Sequence, residues 1–280
     1  MKFLRKNVSK VVAFIFLAFM ACIWLVPIAW AILTSFKSEA EIVTNGYRLL
    51  PIQWVLKNYV SILTNTSSAP IIKWFFNSLL ISTTHTILVI IVSSMAAYAY
   101  ARLRFKGRDA IFIILISTMM FPSIVNLVPL YKISDFLGWI NTPMAVIVPG
   151  LGGVLNIYLI RQFMLGIPKD FDEAARVEGA GEFTIYIKII LPMLRPVLTV
   201  VGLFSFTGSW NDFLWPSIVF NDVEKIPLTP GLKLLQGVYE SEFAHLMTGA
   251  VLAMIPTFIV YLFAQKYFLE GLAITSGVKG

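Results

Sequence analysis

The chain has 280 residues, 58% hydrophobic and only 13% charged, with mean hydropathy +0.81. Soluble domains carry about 25% charged residues, so the composition excludes an ordinary soluble domain and indicates a membrane protein. A single cysteine, Cys22, excludes an internal disulfide, and the two histidines, His85 and His245, lie too far apart in sequence to suggest a zinc or iron centre. Lys2, Arg5, Lys6 and Lys10 precede an apolar run, 11–33. At 1.5 Å per residue the run covers about 35 Å, enough to cross a bilayer. It is too long for a secretory signal, and Phe19-Met20-Ala21-Cys22 only faintly resembles a lipoprotein cleavage box. It is read as a retained first span.

A mixed polar segment follows, from Thr34 to Pro70, with Trp54 and Tyr59 suited to a membrane interface. The second span is 71–102. Ser78, Ser82, His85 (or Thr86) and Ser93 fall roughly on one face, the pattern of a helix that hydrogen-bonds to other helices. His85 fits a packing histidine better than a proton relay, because no second ionisable group is evident at its depth. The third span, 109–131, is interrupted by Pro122 and Pro129. In the fourth, 142–163, Gly150, Gly152 and Gly153 permit close helix approach. A charged segment, 168–191, comes next. The fifth span is 192–215, and a polar loop from Asp212 to His245 leads into the sixth, 246–268. With no repeat, low-complexity run or soluble insertion, residues 1–280 read as a single domain: an all-α membrane protein with six spans.

The charged segment carries the most local information. Asp170 can cap a helix and Glu173 can reach back to it, a capping-box pattern. Ala174 and Ala175 favour helix. Gly179 and Gly181 cost about 1 kcal/mol each inside one, so they mark a turn between two helices. Ala175 and Gly179 lie four apart, which leaves one helix face nearly bare. Glu173-Ala174-Ala175, then Gly179, Ile189 and Leu191-Pro192 resemble the EAA cytoplasmic loop of binding-protein-dependent ABC importers at every defining position. Phe76-Asn77-Ser78-Leu79, Ala96-Ala97-Tyr98-Ala99, Trp210-Asn211-Asp212 and the ending Gly271 to Gly280 are similar to the carbohydrate-type permeases, specifically the partner like the maltose-system G subunit. On the residues alone, the alternative is that Glu173 only completes a cap.

The resemblance implies a six-helix ABC importer permease bundle in a bacterial or archaeal inner membrane. It implies that Glu173, Ala174, Ala175, Gly179, Ile189, Leu191 and Pro192 couple to an ATPase. It further implies a second permease subunit, two cytoplasmic ATP-binding subunits and an extracytoplasmic solute-binding protein as partners, besides the lipid bilayer. No nucleic acid, cofactor or metal is expected. Orientation has an independent argument. Fifteen of the 22 Lys and Arg residues (2, 5, 6, 10, 102, 104, 106, 108, 161, 169, 176, 188, 195, 266 and 279) share the N-terminal side, against 7 opposite. The positive-inside rule then puts both termini and segment 168–191 in the cytoplasm, which also accounts for the net charge of +7.

No catalytic constellation and no Gly-x-x-x-x-Gly-Lys phosphate loop occurs, so ATP hydrolysis is expected on other subunits and this chain is not expected to be an enzyme. Phe206, Ser209, Trp210, Asn211 and Asp212, in the outer half of the fifth span, offer rings for sugar faces and polar groups for hydroxyls. The alternative is an aromatic belt at a helix end. By resemblance this helix lines the translocation pathway, and the tail, 275–280, reaches between the ATPase subunits; by composition the tail is a flexible end. The expected function is ATP-driven carbohydrate import by alternating access. Glycerol 3-phosphate or a polyol is an alternative substrate on the same architecture. An ion-coupled secondary transporter would want paired intramembrane charges and a repeat, and neither is visible.

Overall fold

A computed structural model describes residues 2–64, 69–238 and 243–277, with side chains for 10–64, 69–235 and 243–266. The last residues of the tail, 278–280, lie outside the described residues, as do the side chains of 275–277. Every regular element described is helical: α1 (Lys2–Ser35), α2 (Glu39–Asn45), α3 (Lys57–Thr64), α4 (Ile71–Arg102), α5 (Arg108–Ser117), α6 (Leu127–Phe136), α7 (Met144–Ile147), α8 (Val154–Leu165), α9 (Asp170–Val177), α10 (Glu182–Ile185), α11 (Leu191–Met193), α12 (Arg195–Asn211), α13 (Leu214–Val219), α14 (Leu228–Val238) and α15 (Phe243–Gly277).

Among the described residues, three helices are each long and apolar enough to cross a membrane: 10–35, 71–102 and 243–266. Two further stretches reach that length only as bent pairs, and local chemistry explains each bend. Between residues 108–120 and 123–136 the chain turns by 94°. Phe121 is extended there (φ −83°, ψ 124°), as expected for a residue forced out of the helical region by the Pro122 ring. Between 182–193 and 195–211 the turn is 80°. Pro192 and Pro196 both lack the N–H a continuous helix needs, and Tyr186–Ile190 widens into a π turn just before. The stretch 142–163 is likewise not one helix: α7 and α8 are separated by Gly150, Gly152 and Gly153.

The chain divides into two compact units. The first comprises 1–71 and 231–254. Its polar segment after α1 is ordered by side-chain hydrogen bonds, with Asn58 and Glu41 buried. Asn58 Nδ2 donates to the carbonyls of Ser35 and Lys37, both at 2.8 Å. Glu41 accepts from the Ile52 N–H at 2.8 Å, and Glu39 from the Ala244 N–H at 2.9 Å. Tyr59 bonds Ser35 Oγ at 2.7 Å, while Trp54 packs on Phe36 and stays exposed.

The second unit comprises 72–230 and 255–280. Its interior is lined by Val89, Ala97, Ile160, Ile185, Leu194 and Val201, from α4, α8, α10 and α12 and the break before α12. At one end of α4, Trp74, Asn77 and Ser78 pin the chain after α13. Trp74 Nε1 donates to Val223 O at 2.6 Å, Asn77 Nδ2 to Glu224 O at 2.8 Å, and Ser78 Oγ accepts from the Leu228 N–H at 2.8 Å. Asn141, at φ +61°, lends Oδ1 to the N–H groups of Asn221 and Asp222. Of the buried serines of the α4 stripe, Ser78 thus bonds protein, whereas the Oγ atoms of Ser82 and Ser93 are buried without a hydrogen bond to any described residue.

Candidate functional site

Segment 168–191 is built from short helices fixed onto α4. The expected capping box does not form. Asp170 is the first helical residue of α9, Lys169 precedes it, and no side chain caps the end. Asp172, two residues on, turns inward instead: its side chain, 2% exposed, lies 3.0 Å from Arg102 Nε, also 2% exposed. Arg102 Nη2 donates to Ile167 O at 2.9 Å. A buried partner for Asp172 fixes the rotation of α9, and Asp170 and Glu173 are thereby left on the exposed side. Burial pushes the Asp172 carboxyl above its ordinary value, with the Arg102 guanidinium opposing the shift.

The other end of α9 is closed by its backbone. The Ala180 N–H donates to Ala175 O at 2.9 Å and the Gly179 N–H to Arg176 O at 3.0 Å, which is the Schellman pattern. It requires Gly179 at φ +84°, and a Cβ placed there would meet nothing within 4 Å. Gly181 has φ −74°, which any residue adopts. Beyond the turn, Glu182 accepts from Arg176 Nε at 2.7 Å and Nη2 at 3.2 Å. It also accepts from the Tyr98 hydroxyl at 2.7 Å. The Arg176 bonds, and then the Tyr98 bond, hold the Glu182 carboxyl below its ordinary value.

The residues singled out in this segment divide between two surroundings. Glu173, Ala174, Gly179 and Pro192 are exposed. Ala175, 7% exposed, joins the interior of its own bundle, so its small size serves close packing inside the chain. Ile189 and Leu191 are half-buried against the same interior.

A second feature lies beside α12. A cavity of about 520 Å³ is lined by His85, Asn156, Ser205, Ser209, Asp212 and Trp215, among others. The Oγ atoms of Ser205 and Ser209 are buried and bond no other described residue. His85 Nδ1 donates to Ile147 O at 3.0 Å, which leaves Nε2 as its remaining polar atom. Gly150 makes room for the ring, since a Cβ there would lie 2.4 Å from His85 Cε1. Trp215 Nε1 donates to Ala145 O at 2.8 Å.

Of the five residues singled out on α12 and its end, Ser209 and Asp212 line this cavity, while Phe206, Trp210 and Asn211 do not. Phe206 and Trp210 stack on each other at 5.8 Å, and Trp210 meets Phe75 edge-on at 5.5 Å. Trp210 is 1% exposed and is a packing residue. Asn211 is exposed. Asn156 and Ser205 were not singled out from sequence, though the four-residue spacing of Ser205 and Ser209 is a legible signal. The ionisable residue missing beside His85 in sequence is Asp212, which the fold brings to the same cavity. Among the described residues, no group of three His, Cys, Asp or Glu side chains could hold a metal ion.

Residues 89–273 match the family model described as binding-protein-dependent transport system inner membrane component. The chain is 35% identical over 265 residues to the arabinooligosaccharides transport system permease protein AraQ of Halalkalibacterium halodurans, covering 94% of each chain. It is 30% identical over 279 residues to the galactooligosaccharides transport system permease protein GanQ of Bacillus subtilis, covering 99% of this chain and 98% of the relative. Its fold is similar to a chain in the crystal structure of a bacterial ABC transporter involved in the import of the acidic polysaccharide alginate. That match has TM-score 0.81 and 26% identity, over 94% of this chain and 97% of the other.

Proposed function

Because this chain belongs to the family of binding-protein-dependent transport system inner membrane components, we propose that it is the permease subunit of an ATP-driven importer for an oligosaccharide. The single observation that carries this reading is segment 168–191. It is fastened to the bundle by buried polar contacts, yet it presents Glu173, Ala174 and Gly179 outward. A rigidly held, outward helix is what a separate motor subunit needs in order to push on a membrane bundle. ATP binding and hydrolysis belong to two such subunits on the cytoplasmic side, where the positive-inside count places this segment and both termini. A second, related permease completes the pathway, and an extracytoplasmic binding protein delivers the substrate.

The named relatives transport oligosaccharides, and the cavity beside α12 suits that substrate class. Hydroxyl, amide, imidazole and carboxylate groups converge on it with unfilled bonding capacity at Ser205 and Ser209. A sugar is dense in groups that both donate and accept.

The test is uptake of a labelled panel of oligosaccharides, monosaccharides, polyols and glycerol 3-phosphate in cells with and without this chain. Loss of one or a few oligosaccharides is expected; selective loss of glycerol 3-phosphate or a polyol would move the substrate class. Gly179→Asp is expected to remove uptake with the bundle still folded. Asp is among the side chains best able to take the left-handed conformation, and this one would project into the open space where the motor docks. Normal uptake and normal ATPase docking in that variant would sink the coupling role of the segment.

A further inference from the structure

We propose that the inner end of α4 is the lever through which movement of segment 168–191 enters the bundle, with Arg102 as its positioning residue. This rests on the reading above that motor subunits act on that segment. Ser94, Tyr98 and Arg102 recur every four residues, which places them on one face of α4. Each reaches a different part of the segment. Ser94 Oγ lies 2.7 Å from the Tyr186 hydroxyl, in the π turn. The Tyr98 hydroxyl donates to Glu182, at the start of α10. Arg102 pairs with Asp172, on α9, and donates to Ile167 O, just before it. Arg176 and Glu182 then tie α9 to α10. The rings of Tyr98 and Tyr186 meet at 5.3 Å. Displacement of α9 or α10 must therefore carry α4 with it or break buried bonds.

Stability is a weak reason for such a pair. Replacing both partners of a buried ion pair with apolar residues of similar volume is often neutral or stabilising, whereas removing one leaves an unpaired buried charge. Position is the better reason, because one guanidinium sits 3.0 Å from Asp172 and donates from Nη2 to Ile167 O, holding two points at the start of α9 against the end of α4. The neighbouring residue in sequence is the exposed Glu173. It shares with Arg102, Asp172, Arg176 and Glu182 the lining of a cleft of about 350 Å³. A push delivered at Glu173 thus arrives one residue from the Arg102–Asp172 contact.

The assembled importer in proteoliposomes tests the lever, with uptake and ATP hydrolysis measured together per assembled complex. Wild type is run first, so a complex that imports without hydrolysing ATP exposes failure of the importer reading separately. The double variant R102M/D172L is expected to assemble as well as wild type and to keep hydrolysing ATP. Substrate taken up per ATP should fall at least about fivefold, the lower end of typical coupling between sites. Tyr98→Phe, which keeps the ring and removes only the bond to Glu182, is expected to fall in the same direction by less. Unchanged uptake per ATP in both variants would overturn the lever. If the double variant fails to assemble, Tyr98→Phe decides alone: a normal ratio overturns the proposal and a lowered one supports it.

Discussion

Gly150 carries its role through space and Glu182 through charge. Gly150 sits where any Cβ would strike the His85 ring, 2.4 Å from Cε1. Gly150→Ala should displace that ring, break its bond to Ile147 O and cost about 1–3 kcal/mol as an overpacked contact. Thermal unfolding of the purified protein in detergent checks this, and an unchanged midpoint would show that the ring moves aside freely. Glu182 makes a prediction about pH. Its carboxyl is held below the ordinary 4.5 by Arg176 and then Tyr98. A depressed folded value means the contribution is fully present above the unfolded value and is lost as pH falls through the folded one. The Glu182 link between α10 and α4 should therefore persist at neutral pH and down to its ordinary value, and fail only at more acid pH. Carboxyl-resolved NMR of selectively labelled protein should show Glu182 titrating low, and Arg176→Ala should raise its midpoint.

Among the elements, α12 divides its two faces between packing and the cavity. Phe206 and Trp210 occupy the packed side, while Ser205 and Ser209 turn toward the cavity with His85 and Asp212. The two faces should respond differently to truncation. Trp210→Ala removes a fully buried indole and is expected to cost about 3–5 kcal/mol, lowering the amount of folded protein. Ser209→Ala should leave folding intact and alter only the concentration dependence of uptake. Paired stability and uptake measurements separate these outcomes, and equal losses of stability in both variants would dissolve the distinction. At α9 the element is rotated by its partner rather than by its cap. Asp170 and Glu173 carry the capping-box spacing, but the pull of Arg102 on Asp172 settles which face turns inward. Acidic residues in the first turn still favour the positive end of the helix dipole.

For the whole molecule, the count of basic residues predicts an orientation that can be read directly. Cys22 is the sole cysteine, so Cys22→Ser gives a background for single-cysteine variants. Lys106→Cys should resist an impermeant maleimide added to intact cells, and Asn221→Cys should react; the reverse labelling would invert the topology. By itself, the sequence determined the class and the family resemblance. Apolar length, proline and glycine placement and the Glu173-to-Pro192 pattern are local and survive any packing. It also marked the break at Pro122, since the backbone restriction before a proline is a property of a single residue; Pro129 instead lies in the first turn of α6, where its missing N–H costs nothing, and the bend between 193 and 195 falls inside what reads from sequence as one span, 192–215. Only the tertiary structure decided that Asp172 meets Arg102, that His85 and Asp212 share a cavity, and that Trp210 faces away from it. These depend on helix rotation and on which distant segments meet. Rotation is set by the best burial of many side chains at once, and that sum is not written in any one stretch of chain.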